Sequence, residues 1–166
     1  MSNWNDYKKT FKTSEDVFTL ARSGEALKLK VFLDSNPEAH INQRNHKGYS
    51  PLMISVYNGN YETSELLLER GADPNSSDLS GNTILMGAAF KGDAEMIKLL
   101  VQRGAQKDLK NHKGLTAEEW ASAFGRREAL SILKPDANYS RCMNFINAIK
   151  IIWGFMKPNS RKEVTV

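Results

Sequence analysis

Apolar positions in this chain fall into short blocks, and the blocks return every 33 residues. Leu66, Leu99 and Ile132 form one column of that register, and Leu67, Leu100 and Leu133 form the next. The polar punctuation keeps the same step. Gly48, Gly81 and Gly114 share one phase, Gly59, Gly92 and Gly125 a second, and Gly71 and Gly104 a third. Ser50, Thr83 and Thr116 open the blocks, each with a hydroxyl able to accept from the free N–H groups at a helix start. Pro51 suits a first helical turn, where its missing donor is no loss. A first short helix then stops at the glycine of the second phase. The next helix stops at the glycine of the third, where a left-handed backbone costs glycine least. The pattern predicts helix, turn, helix and hairpin, repeated, and a fixed step of this length builds stacked units rather than one closed core.

The motifs that carry this register resemble the ankyrin repeat. Ser50-Pro51-Leu52-Met53 and Thr83-Ile84-Leu85-Met86 stand where that family has its T-P-L-H-like helix start, and Gly71-Ala72 and Gly104-Ala105 match its Gly-Ala step. No copy keeps the motif histidine, the last copy reads Thr116-Ala117-Glu118-Glu119, and Val56 and Ser122 stand where a small alanine is usual. The resemblance implies an all-α ankyrin-repeat solenoid over residues 14–135, with repeats at about 14–44, 45–77, 78–110 and 111–135, the first and last degenerate. The first hairpin, LDSNPEAHIN, is two residues longer than its counterpart LERGADPN. Insertions of this kind map to loops.

Both ends lie outside the register. Over residues 1–13, Trp4, Tyr7 and Phe11 recur at steps of three and four with Lys8, Lys9 and Lys12 between them. A short amphipathic helix is one reading; aromatics sealing the exposed face of the first repeat is the preferred one, because a repeat stack needs a cap at each end. After Pro135, the residues Met143, Phe145, Ile146, Ile149, Ile152, Trp153 and Met156 predict an amphipathic C-terminal helix within 136–157, followed by a flexible basic tail at 158–166. This helix is expected to cap the fourth repeat. The alternative is peripheral binding through 139–156 to an anionic membrane surface or a partner's groove, with the repeats as scaffold. About 15 mostly apolar residues are too few to span a bilayer, which takes about 20.

Hydrophobic residues make up 40% of the 166 and charged ones 25%, which suits one soluble domain. The formal charge of +4 is unevenly placed: residues 1–133 carry 17 Lys and Arg against 17 Asp and Glu, whereas 134–166 carry 6 against 2. A neutral array with a basic tail lacks the positive stripe that nucleic-acid binding asks of a folded surface. The single Cys142 excludes an intrachain disulfide, and the opening MSNWNDYKKTFK has no apolar run of a secretory signal. A reducing, cytoplasmic setting is expected.

Candidate chemistry is sparse. His46 and His112 share a phase in Asn45-His46-Lys47-Gly48 and Asn111-His112-Lys113-Gly114. Packed helices lie about 8–10 Å apart, so tips two repeats apart stand roughly 20 Å apart, too far for one zinc with bonds of about 2 Å. These tetrapeptides read as hairpin turns, with Asn and Gly supplying the backbone shapes. Cys142 has no histidine near it in sequence. Glu118 and Glu119 are adjacent at a helix start, where they point to different faces and suit the helix dipole. No phosphate loop, nucleophile elbow or cluster of metal ligands is present. Neither an enzyme activity nor a metal, cofactor or small-molecule substrate is expected.

Ankyrin proteins usually grip a partner with their hairpin tips and the exposed face of the first helix in each repeat. Carried over by position, the resemblance implies contacts at and beside the tips from Arg44, His46, Lys47, Tyr49, Ser77, Leu79, Asn82, Lys110, His112, Lys113 and Leu115. On the helices it implies Arg22, Tyr57, Asn58, Phe90, Lys91 and Phe124. Tyr57 and Phe90 recur 33 apart just before a turn glycine, where solvated polar residues are usual, and Phe124 immediately precedes Gly125. They are expected to line an aromatic ridge rimmed by Arg22, Arg44, Lys91 and Lys110, the residue types that anchor protein interfaces. The implied partner is another protein with an acidic patch. It would be held by a monomeric array acting as adaptor, inhibitor or neutralising partner.

Overall fold

The structure, a computed structural model, describes residues 16–134. The expected N-terminal aromatic segment, the C-terminal helix with its tail, and Cys142 lie outside those residues. Among the described residues, eight helices run in four pairs. They are α1 Val17–Ser23 with α2 Ala26–Ser35, α3 Pro51–Asn58 with α4 Tyr61–Glu69, α5 Ile84–Lys91 with α6 Ala94–Gln102, and α7 Ala117–Ala123 with α8 Arg127–Leu133. The one β pairing among these residues is an isolated antiparallel bridge between Ser77 and Thr83. The all-α solenoid expected from the sequence is the observed architecture.

Each inner helix starts where a side-chain oxygen meets a free backbone donor. Ser50 Oγ accepts from the Met53 N–H at 3.2 Å, Thr83 Oγ1 from Met86 at 3.3 Å and Thr116 Oγ1 from Glu119 at 3.3 Å. Glu119 reaches back to the Thr116 N–H at 2.8 Å and completes a capping box. In the first repeat Asp16 does the same job, accepting from Thr19 N–H at 2.7 Å. Gly59 and Gly92 end α3 and α5 at φ 79° and 77°, which is left-handed backbone and favours glycine.

The odd-numbered helices stack α1 on α3 on α5 on α7, while α2 packs against α4 and α6 against α8 behind them. Leu20, Leu52, Ile84, Leu85 and Met86 from the inner layer and Leu29, Leu67, Met96, Ile97 and Leu100 from the outer layer are almost wholly buried between the two. Each such side chain contributes roughly 1.5–3 kcal/mol on leaving water. Among the described residues the outer layer ends at α2, where Val31 is 65% exposed; Leu99, its counterpart in the third repeat, is 2% exposed.

Polar ladders tie one repeat to the next. Asn42 donates to the Gly71 carbonyl and accepts from the Asp73 N–H, and Asn75 repeats both bonds with Gly104 and Gln106. The last carbonyls of each inner helix, which no intrahelical donor reaches, are met from the following repeat. Asn60 Nδ2 donates to Ala21 and Arg22, Lys91 Nζ to Tyr57, and Arg126 Nε to Phe90, all at 2.9 to 3.0 Å. Three different side chains perform one task.

Candidate functional site

A groove of about 630 Å³ lies between the hairpins and the inner helices. Arg22 of α1, Met53, Ile54, Tyr57 and Asn58 of α3, Met86, Gly87 and Phe90 of α5 and Trp120 of α7 line it, with Tyr49, Asp78 and Asn82 from the hairpins. The stacking of short inner helices sets this floor. Residues from both the first and the last turns of these helices line it.

Tyr57 stands out from that floor at 61% exposed. Its backbone is held by the Lys91 ammonium, so Lys91, although exposed, is committed to the preceding repeat. Asn58 is exposed too, and its side-chain amide donates back to the Ile54 carbonyl at 2.8 Å. Phe90 and Phe124 are half-buried against the core. Their rings meet edge to face with centroids 4.6 Å apart, and both contact the Trp120 ring, at 6.0 and 5.9 Å. Tyr57, Phe90 and Phe124 therefore do not form one ridge in line. Among the described residues Tyr57 makes no ring contact, and the other two clasp Trp120. The register explains this: the position equivalent to Tyr57 and Phe90 in the last repeat is Ala123, whereas Phe124 belongs to the column of Asn58 and Lys91.

The hairpin tips are built alike. Asn45 Oδ1 accepts from the N–H groups of Lys47 and Tyr49, Asp78 Oδ1 from Ser80 and Asn82, and Asn111 Oδ1 from Lys113 and Leu115, all at 2.8 to 3.0 Å. These are the side-chain turns that Asn and Asp favour. Successive tips touch. A Cβ placed on Gly48 would come within 3.0 Å of Leu79, and one on Gly81 within 2.8 Å of the His112 ring. The His112 N–H donates to the Ser80 carbonyl at 3.1 Å, and Asn111 Nδ2 to Asn82 Oδ1 at 2.7 Å. His46, Leu79 and His112 thus follow one another along the edge. Arg22, Arg44, His46, Lys110 and His112 are exposed, Leu79 is 70% exposed, and Tyr49, Asn82 and Leu115 are half-buried.

Ion pairing among the described residues lies elsewhere. Arg70 pairs with Asp34 at 2.8 Å, Arg103 with Glu65 at 3.2 Å and Lys134 with Glu118 at 3.0 Å, and none of these involves Arg22, Arg44, Lys47 or Lys110. The displaced pKa values are also on the outer surface. Hydrogen bonds from Lys28 and then Ser23 hold the Glu25 carboxyl below its ordinary value, and the bond to Glu95 raises Lys98.

Sequence reasoning missed the floor of the groove, namely Met53, Ile54, Asp78, Met86, Gly87 and Trp120. Signals for it were present. Met53 and Met86 occupy the place of the missing motif histidine, and Ile54, Gly87 and Trp120 share the next column. Gly87 lies inside α5, where glycine costs about 1 kcal/mol against alanine. A Cβ there would meet nothing within 4 Å, which marks open space.

A family model described as ankyrin repeats, three copies, matches residues 6–78 and 74–141. The chain belongs to the ankyrin-repeat family. Among curated proteins, this ankyrin array is similar to the scaffold protein ILK of human, mouse and guinea pig, 38% identical in each over 58 residues. That stretch is 35% of this chain and only 13% of the length of those relatives. Ankyrin repeats make the chain a protein-interaction module.

Proposed function

We propose that this ankyrin array binds a partner protein in the groove between its hairpins and inner helices and acts without catalysis, as an adaptor, an inhibitor or a neutralising partner. The observation that carries this reading is Tyr57, a large ring left 61% exposed above a floor of Met53 and Met86. A large, rigid aromatic side chain left exposed over a groove is the kind of anchor that protein interfaces use. The similarity to a scaffold protein, limited to 58 residues, agrees with it.

Affinity capture from the native cell lysate tests it with three baits: the intact chain, Tyr57→Ala, and a chain lacking residues 135–166. Groove binding requires that a protein retained by the intact chain be lost with Tyr57→Ala and kept by the truncated chain. Loss on truncation, with indifference to Tyr57→Ala, would move the function to the C-terminal segment and overturn the groove reading.

A further inference from the structure

The hairpin edge carries a pattern that the groove alone does not explain. Three columns cross it: Arg44, Ser77 and Lys110; His46, Leu79 and His112; and Lys47, Ser80 and Lys113. The first and third tips are basic, and the middle tip is neutral with an apolar point. The contacts of Gly48 with Leu79 and of Gly81 with His112 place the three tips in one unbroken row. Leu79 is 70% exposed at its centre, and Arg44, Lys47 and Lys110 are exposed with no ion pair among the described residues. Arg22, which also lines the groove, adds a further exposed positive charge.

The one carboxylate lining the groove among the described residues offers little opposition. Asp78 Oδ1 accepts from the N–H groups of Ser80 and Asn82, and its Oδ2 accepts from Asn82 Nδ2 at 3.0 Å. Its charge is spread into the turn it holds. Charge complementarity therefore selects an acidic occupant, and the apolar point between the basic tips selects its form.

We infer that the edge and groove accept an extended acidic segment of the partner protein, with two acidic positions flanking an apolar one. This rests on the groove reading above. Adjacent tips are about one helix-packing distance apart, so the outer two lie roughly 20 Å apart. An extended chain advances about 3.3 Å per residue. The acidic positions then fall about six residues apart, one over Arg44 and Lys47 and the other over Lys110; the side chains two and four residues along share their face, and an apolar one there meets Leu79. A nucleic-acid strand fits less well, because its charge is continuous and the middle tip is neutral and apolar.

Selection of a random dodecapeptide library, displayed on phage, against the full chain at low salt tests this. The expected enrichment is of peptides with Asp or Glu about six residues apart and an apolar residue between them. Their binding should weaken at least tenfold in high salt, and also at least tenfold with the Arg44→Glu, Lys110→Glu double variant or with Tyr57→Ala. Enriched peptides that depend on Tyr57 but lack acidic residues would overturn this inference and leave the groove reading intact. Peptides indifferent to Tyr57→Ala would overturn both. An empty selection, or displacement of the peptides by an equal concentration of a mixed-sequence single-stranded oligonucleotide, would overturn the acidic-segment assignment.

Discussion

The ring of Phe124 meets that of Phe90 edge to face, with centroids 4.6 Å apart and planes at 89°. Such a pair is worth about 0.5–1.5 kcal/mol beyond the area it buries, and here it also closes over Trp120. Phe124→Ala should lower stability by about 2 kcal/mol and the melting temperature by several degrees, read by thermal denaturation. Tyr57→Ala should change stability by no more than about 0.5 kcal/mol, because its ring is exposed. A Phe124→Ala variant as stable as the parent would show that the cluster does not hold the last two repeats together.

The asparagine ladder makes a second expectation. Asn75 joins the second repeat to the third through the Gly104 carbonyl at 3.1 Å and the Gln106 N–H at 2.8 Å. Asn75→Ala should cost about 1–2 kcal/mol in urea unfolding, one net hydrogen bond being worth about 1 kcal/mol. The Gln106 amide, whose N–H loses its acceptor, should then lose exchange protection relative to the inner helices.

Gly81 and Gly114 share φ 75°, so both pay for left-handed backbone when replaced. They differ in their surroundings. A Cβ on Gly81 lies 2.8 Å from the His112 ring, whereas one on Gly114 meets nothing within 4 Å. Gly114→Ala should cost about 1–2 kcal/mol and Gly81→Ala distinctly more. His112→Ala should recover part of that difference. Equal costs would mean that the tips are not packed as described.

Thr63 is 1% exposed, and its hydroxyl has no hydrogen-bond partner among the described residues. Thr63→Val removes that group at nearly constant shape and should be neutral or stabilising by up to about 1 kcal/mol. A loss of more than about 1 kcal/mol would mean that the hydroxyl is satisfied.

The columns that were legible in the sequence are those where backbone chemistry repeats. Ser50, Thr83 and Thr116 cap helices because the free N–H groups need an acceptor at each start, and the glycine columns follow from left-handed turns. The four helix pairs follow from these. Contacts made by different residue types were not legible. Asn60, Lys91 and Arg126 all meet the carbonyls of a preceding helix, yet nothing in their types links them. The basic rim assigned to Lys91 is thus partly structural, and the aromatic ridge resolves into an exposed Tyr57 and a packed trio because Phe124 is one column out of phase.

Calorimetric titration of the captured partner into the parent chain, Tyr57→Ala and Leu27→Ser tests groove binding most directly. Leu27 is 82% exposed on α2, outside the groove lining, and serves as the control. Affinity should fall by roughly 10- to 100-fold with Tyr57→Ala, as expected for an interface anchor, and stay unchanged with Leu27→Ser. Unchanged affinity for a folded Tyr57→Ala protein would contradict groove binding.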